Sequence, residues 1–83
     1  MKAAIFHPKV REEIRKYPEN IRKAFGEAIF DLQMGKDLKM PLSKPMPGVA
    51  LGVEELRIKD SSGAYRIFYF KKFAKGSYFF ILS

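Results

Sequence analysis

The chain has 83 residues, 47% of them hydrophobic and 14% aromatic, enough to pack one small core over 1–83 but not a second domain, and too apolar for a disordered segment. The absence of cysteine removes disulfides, thiolate catalysis and cysteine-ligated metal, and no stretch approaches the roughly 18 apolar residues of a membrane span, so a cytoplasmic protein is expected. A formal charge of +7 makes polyanions the natural partners: nucleic acid, an anionic membrane surface or an acidic protein.

Ala3 to Phe6 reads as a short first strand ended by His7-Pro8. Pro8 suits the first turn of a helix, where its missing N–H has no partner to lose. The apolar stripe Val10, Ile14 and Tyr17 follows, with Arg11, Glu12, Arg15 and Lys16 outward. Pro18 breaks that helix and opens a second, which carries Ile21, Ala24, Phe25, Ala28, Ile29 and Leu32 at a spacing near 3.6 residues and stops at Gly35. From Gly35 to Gly52 the prolines Pro41, Pro45 and Pro47 mark an ordered connector, with a short strand near Leu42 to Lys44. Lys36, Lys39 and Lys44 on this connector are placed to touch backbone phosphates, and a solvated loop explains them equally well.

Two period-2 segments then flank the polar turn Asp60-Ser61-Ser62-Gly63, and Ser77 to Leu82 reads as a last, nearly all-apolar strand. The order βααβββ predicts an α+β fold in which two N-terminal helices pack on one face of a small antiparallel sheet. In the register that pairs Lys59 with Ala64, Leu56, Ile58, Tyr65 and Ile67 face the helices. Arg57 then lies across from Arg66, an arrangement of like charges that costs stability unless an anion sits between them. Arg57, Lys59 and Arg66 project from the opposite face, where Phe68 and Phe70 share the parity of Arg66. Rings interleaved with charge suit base stacking and phosphate neutralisation, while packing under the C-terminal segment accounts for the two phenylalanines equally well. Glu54 and Glu55 point to opposite faces and cannot work as a paired acid and base.

The blocks Glu55-Leu56-Arg57-Ile58-Lys59-Asp60 and Gly63-Ala64-Tyr65-Arg66-Ile67-Phe68-Tyr69, with Met40-Pro41-Leu42 and the helix pair before them, resemble the RelE/HigB-type toxins of bacterial toxin-antitoxin pairs. The phage-derived HigB-like branch is the most similar. This resemblance implies the small α/β fold of the RelE/ParE superfamily, entry into the ribosome, messenger RNA cleavage and inhibition of translation. It also implies a cognate antitoxin, often a helix-turn-helix protein, and no membrane partner.

Such cleavage transfers a phosphodiester to its own 2′-hydroxyl, which needs a base, an acid and cations around the phosphorane. Arg66 is the candidate for phosphate and transition-state contact, since a guanidinium presents a planar fork to two oxygens. Arg57 and Lys59 support it, Lys59 doubling as a candidate acid or base. Lys36, Lys39, Lys44, Phe68, Lys71 and Lys72 are the candidate RNA contacts. No metal or cofactor is expected. His7 reads as a cap or surface residue, and Tyr65 and Tyr69 as core residues.

Relatives continue past the last strand into a basic segment and a terminal helix that carries catalytic residues, whereas this chain reads Phe80-Ile81-Leu82-Ser83 at that point. The difference implies uncovered apolar surface and self-association through an exposed last strand. Two further readings stay open: a non-catalytic antitoxin-binding module, and a gyrase inhibitor of the ParE type.

Overall fold

Proline and glycine punctuate the helical half, and the structure, a computed structural model describing residues 1–82, shows how. Strand β1 (Ala4–Phe6) leads into α1 (Pro8–Arg15), with Pro8 in the first turn and His7 as its N-cap. The backbone N–H of Lys9 donates to His7 Nδ1 at 3.2 Å, which gives the lone histidine a capping role. Helix α2 (Glu19–Gln33) ends at Gly35, whose φ of 86° only glycine adopts without strain. There Gly35 N–H bonds to the Leu32 carbonyl and Lys36 N–H to that of Asp31, the paired bonds of a Schellman motif.

The remaining elements are β2 (Ser43–Pro45), β3 (Val53–Asp60), β4 (Gly63–Phe73) and β5 (Ser77–Leu82). The hairpin has the register read from its pattern, with Leu56 opposite Ile67, Arg57 opposite Arg66 and Lys59 opposite Ala64. Its turn is tied down by Asp60, whose Oδ1 accepts from Ser62 N–H at 2.8 Å and whose Oδ2 accepts from Asn20 Nδ2 at 2.8 Å. These bonds, from Ser62 first and then Asn20, hold the exposed Asp60 carboxyl below its ordinary range.

The fold class is α+β, and the sheet is five-stranded and mixed, in the order β1-β5-β4-β3-β2. All neighbours are antiparallel except β1 and β5, which run parallel with Ile5 opposite Phe79. This corrects the expected place of the last strand. β5 is not the exposed edge expected for self-association: β1 pairs with it along Tyr78, Phe79 and Phe80 on one side and β4 pairs with it on the other. The edges are β1 and β2, each only 3 residues long, and β2 carries Lys44 and Pro45, two residues that discourage strand addition.

Both helices lie on one face, where Val10, Ile21, Phe25, Ala28, Ile29 and Leu32 pack against Leu56, Ile67, Tyr69, Tyr78 and Phe80. Phe80 is fully buried, stacked on Phe6 at 4.9 Å between centroids and tilted against Tyr69 at 5.5 Å. One polar network enters this layer. Ser43 Oγ lies 2.9 Å from Glu54 Oε1 and 2.6 Å from the Tyr69 hydroxyl, which also donates to Glu54 Oε1 at 3.4 Å. Lys71 Nζ closes the network 3.1 Å from Glu54 Oε2.

Burial, with the Glu54 charge nearby and against the opposing Ser43 bond, pushes the Tyr69 hydroxyl up to about 12 from its ordinary 10.0. A raised folded-state value means that the folded chain keeps a proton the unfolded chain has released. This stabilisation is therefore whole below pH 10 and is lost as pH rises through about 12. Urea unfolding of wild type and Tyr69→Phe at pH 9 and pH 12 is expected to show the gap between them shrinking by on the order of 2 kcal/mol. A gap that does not change with pH contradicts the assignment.

Candidate nucleic-acid interface

Strand alternation sends Glu55, Arg57 and Lys59 of β3, and Ala64, Arg66, Phe68 and Phe70 of β4, to the sheet face away from the helices. Register extends the face sideways. Lys44 pairs with Glu55, Glu55 with Phe68 and Phe68 with Ile81, forming one row across four strands. Arg57 and Arg66 form the next row and Lys59 and Ala64 the one after, spaced about 7 Å apart along the strands. Of the residues picked out by sequence, the fold thus gathers Arg57, Lys59, Arg66, Lys44 and Phe68.

The carboxylate within this group is Glu55, which reading the sequence missed as a site residue. Its side chain is buried, and Oε2 lies 3.5 Å from Arg66 Nη1. The repulsion expected between Arg57 and Arg66 is therefore met from inside the protein, by a carboxylate diagonal to Arg66. A signal for it existed, because Glu55 shares the parity of Arg57 two residues away. A contact of 3.5 Å through one nitrogen is not a bidentate lock, so most guanidinium donors of the exposed Arg66 remain turned to solvent. Arg57 has no carboxylate within 4.0 Å among the described residues. The patch holds four cations and one carboxylate.

Beside it opens a cleft of about 530 Å³ between the β2 approach (Pro41, Leu42) and the β3 end (Arg57, Ile58, Lys59, Asp60). The cleft exists because β2 covers β3 only as far as the bond from Arg57 N–H to the Leu42 carbonyl, 2.9 Å. Its floor is apolar and its wall basic. At the other end of the open face, Phe79 stacks with Phe70 at 6.3 Å and Phe73 at 4.9 Å, and Phe73 is 40% exposed. Phe68 and Phe70 are half-buried in the face itself.

The other candidates lie elsewhere. Lys36 pairs with Asp31 at 3.6 Å beside the end of α2, and Lys39 lies exposed in the connector. Lys71 is spent on Glu54, and that hydrogen bond, opposed by burial, raises its ammonium above the ordinary value and keeps it charged. A bulge between Phe70 and Phe73 breaks the alternation of β4, with Lys72 at a φ of 54°. Lys71 and Lys72 are also five and six residues along β4 from Arg66, roughly 17–20 Å away. Tyr69 is a core residue, and Tyr65 packs against the core beside Tyr17 at 4.8 Å.

No group of three His, Asp or Glu side chains among the described residues is arranged to hold a metal ion. No described helix is long and apolar enough to cross a membrane. Neither a curated protein nor a solved structure matches the sequence. A family model described as "Phage derived protein Gp49-like (DUF891)" matches residues 12–82, from within α1 to the end of β5, and the chain belongs to that family.

Proposed function

We propose that this protein is the toxin of a type II toxin-antitoxin pair, of RelE/HigB type, which binds messenger RNA on the ribosome through the open sheet face and cuts it. Membership of a phage-derived family supports the reading, as does the resemblance of the hairpin blocks. The observation that carries it is the Arg57–Arg66 pair with Glu55 at 3.5 Å from Arg66, flanked by Lys44, Lys59 and Phe68.

In this reading Arg66 and Arg57 hold the scissile phosphate and neutralise the charge that grows on its oxygens. Glu55 takes the proton of the 2′-hydroxyl, and the 2′-oxygen attacks the adjacent phosphorus. The P–O5′ bond breaks, Lys59 gives a proton to the leaving 5′-oxygen, and the products are a 2′,3′-cyclic phosphate and a 5′-hydroxyl. Phe68 stacks a neighbouring base, and an antitoxin restrains the toxin in the cytoplasm.

A second reading, RNA binding without cleavage, draws on the burial of Glu55, only 5% exposed beneath the cations. The two share a binding test. With Arg57, Arg66, Lys59 and Lys44 contributing, log affinity for single-stranded RNA should fall against log salt with a slope of about −2 to −3. Fluorescence anisotropy is expected to show Arg57→Ala flattening that slope by about 0.7. Lys36→Ala, on the Asp31-paired lysine, should leave it unchanged. Equal effects of the two variants would dissociate RNA binding from this face. Absence of RNA cleavage combined with gyrase inhibition in a supercoiling assay would turn the reading toward the ParE type.

A further inference from the structure

At the end of β4 remote from the hairpin turn, a cavity of about 650 Å³ is walled by Lys2, Asp37, Lys71, Lys72, Gly76 and Tyr78. Three segments meet there: the chain before β1, the connector after α2, and the bend between β4 and β5. Lys2 is pinned to the end of α2, its N–H donating to the Gln33 carbonyl at 2.8 Å and its carbonyl accepting from Gln33 Nε2 at 3.1 Å. Neither Lys2 nor Lys72 has a carboxylate within 4.0 Å among the described residues. Lys71 gives one of its three ammonium donors to Glu54 at 3.1 Å and is thereby fixed in the wall.

The bulge in β4 is what brings two of these lysines together. Phe70 pairs with Phe79 and Phe73 with Ser77, so Lys71 and Lys72 both stand opposite Tyr78. Strict alternation would send adjacent residues to opposite faces, yet both line this one cavity. Lys72 reaches its place at a φ of 54°, a conformation that glycine adopts freely and lysine rarely. A lysine standing where glycine would relieve the backbone is held there against strain, and strain of this kind gathers at binding sites.

Tyr78 supplies an independent sign of a ligand. It lines the cavity although only 5% of it is exposed. Unlike those of Tyr65 and Tyr69, its hydroxyl makes no hydrogen bond among the described residues. No buried side-chain oxygen among them is both sealed off and unpartnered, so this hydroxyl keeps an opening, and the cavity is where Tyr78 meets open space.

We infer that this cavity binds a sugar phosphate, its phosphate held by Lys2, Lys71, Lys72 and the Tyr78 hydroxyl, and its sugar hydroxyls donating to Asp37. Three ammonium groups around one concave space call for a compact anion, and a carboxylate in the same wall calls for a hydroxyl donor beside it. The rings argue against a base. Lys2 Nζ lies over the Tyr78 ring, 5.6 Å from its centroid, and Tyr69 meets that ring edge-on at 6.0 Å, so no open face is left for stacking. An RNA backbone following this wall would set its phosphates against Asp37 and Glu54. The inference stands whether or not the opposite face cuts RNA.

The test titrates ribose 5-phosphate into the isotope-labelled chain in phosphate-free buffer, with ribose, inorganic phosphate, adenosine 5′-monophosphate and hexauridylate as comparisons. Amide shifts are expected to centre on Lys2, Asp37, Lys72 and Gly76. Ribose should cause none, inorganic phosphate should bind at least about threefold more weakly, and adenosine 5′-monophosphate no more tightly than ribose 5-phosphate. Lys72→Gly removes the ammonium and relieves the backbone, so affinity should fall at least about tenfold with no fall in Tm. Tyr78→Phe breaks no bond within the fold and should lower affinity at least about threefold. Ribose binding as tightly as its phosphate, an unchanged affinity in both variants, or shifts centred on Arg57 and Arg66 would each overturn the inference. So would adenosine 5′-monophosphate or hexauridylate binding these amides at least about tenfold more tightly than ribose 5-phosphate, which would assign the cavity to a base or to an RNA strand.

Discussion

Replacing Arg66 with alanine is expected to lower messenger RNA cleavage by at least about 100-fold, the usual loss when a preorganised donor to a developing oxyanion is removed. The same change leaves the Glu55 carboxylate, 5% exposed, without its partner at 3.5 Å. Stranding a buried acceptor costs about 1–3 kcal/mol, so the variant should also melt earlier. The two effects separate with Arg66→Lys. It keeps the charge beside Glu55 and most of the stability, but loses the planar fork that grips two phosphate oxygens. Thermal melts with cleavage assays on both variants should give a destabilised, inactive alanine protein and a near-native lysine protein with strongly reduced activity. A fully active Arg66→Ala protein would remove the guanidinium from the chemistry.

Phe80→Ala should be the most damaging single truncation of the fold. The ring is 0% exposed on the interior strand β5 and touches Phe6 from β1 and Tyr69 from β4, so its loss opens a cavity at the point where three strands meet. Burial of this kind is worth about 3–5 kcal/mol, against a total of roughly 4–12 kcal/mol for a chain of this length. A fall in Tm of at least about 12 °C is expected. Phe30→Ala, which trims a ring 51% exposed on α2, should stay close to wild type. A Phe80→Ala protein that melts within a degree or two of wild type would mean that the core is not centred on this strand.

How much of this was readable beforehand follows from the range of the forces involved. The hairpin register was legible because a period-2 pattern on both sides of Asp60-Ser61-Ser62-Gly63 permits one alignment that buries Leu56, Ile58, Tyr65 and Ile67 together. Helix α2 and strand β5 were legible for the same reason, each having a strong local period or an unbroken apolar run. The parallel pairing of β1 with β5 was not, since residues 4–6 and 78–80 meet only through the whole intervening fold. That contact moved the last strand from the edge to the interior.

In the candidate site, Arg57, Lys59 and Arg66 followed from parity, and Lys44 joined them once β2 was paired. Glu55 escaped because its role is diagonal, across to Arg66, and a pairwise reading of opposite residues passes over diagonals. Lys71 and Lys72 were chosen for charge alone. A bulge without a glycine to announce it breaks the alternation at that point, and Glu54 on the helix-facing side claims Lys71.

The reading rests on Glu55 and Arg66 working together on one phosphodiester, and the most direct measurement is messenger cleavage in a translating extract by wild type and Glu55→Gln, with products mapped to the codon and their ends identified. The glutamine can still accept a bond from Arg66 but cannot take a proton, so cuts should require translation, leave 2′,3′-cyclic phosphate ends, and fall by at least about 100-fold in the variant. Intact messenger from a folded wild-type chain, or cutting that Glu55→Gln leaves unchanged, contradicts the account.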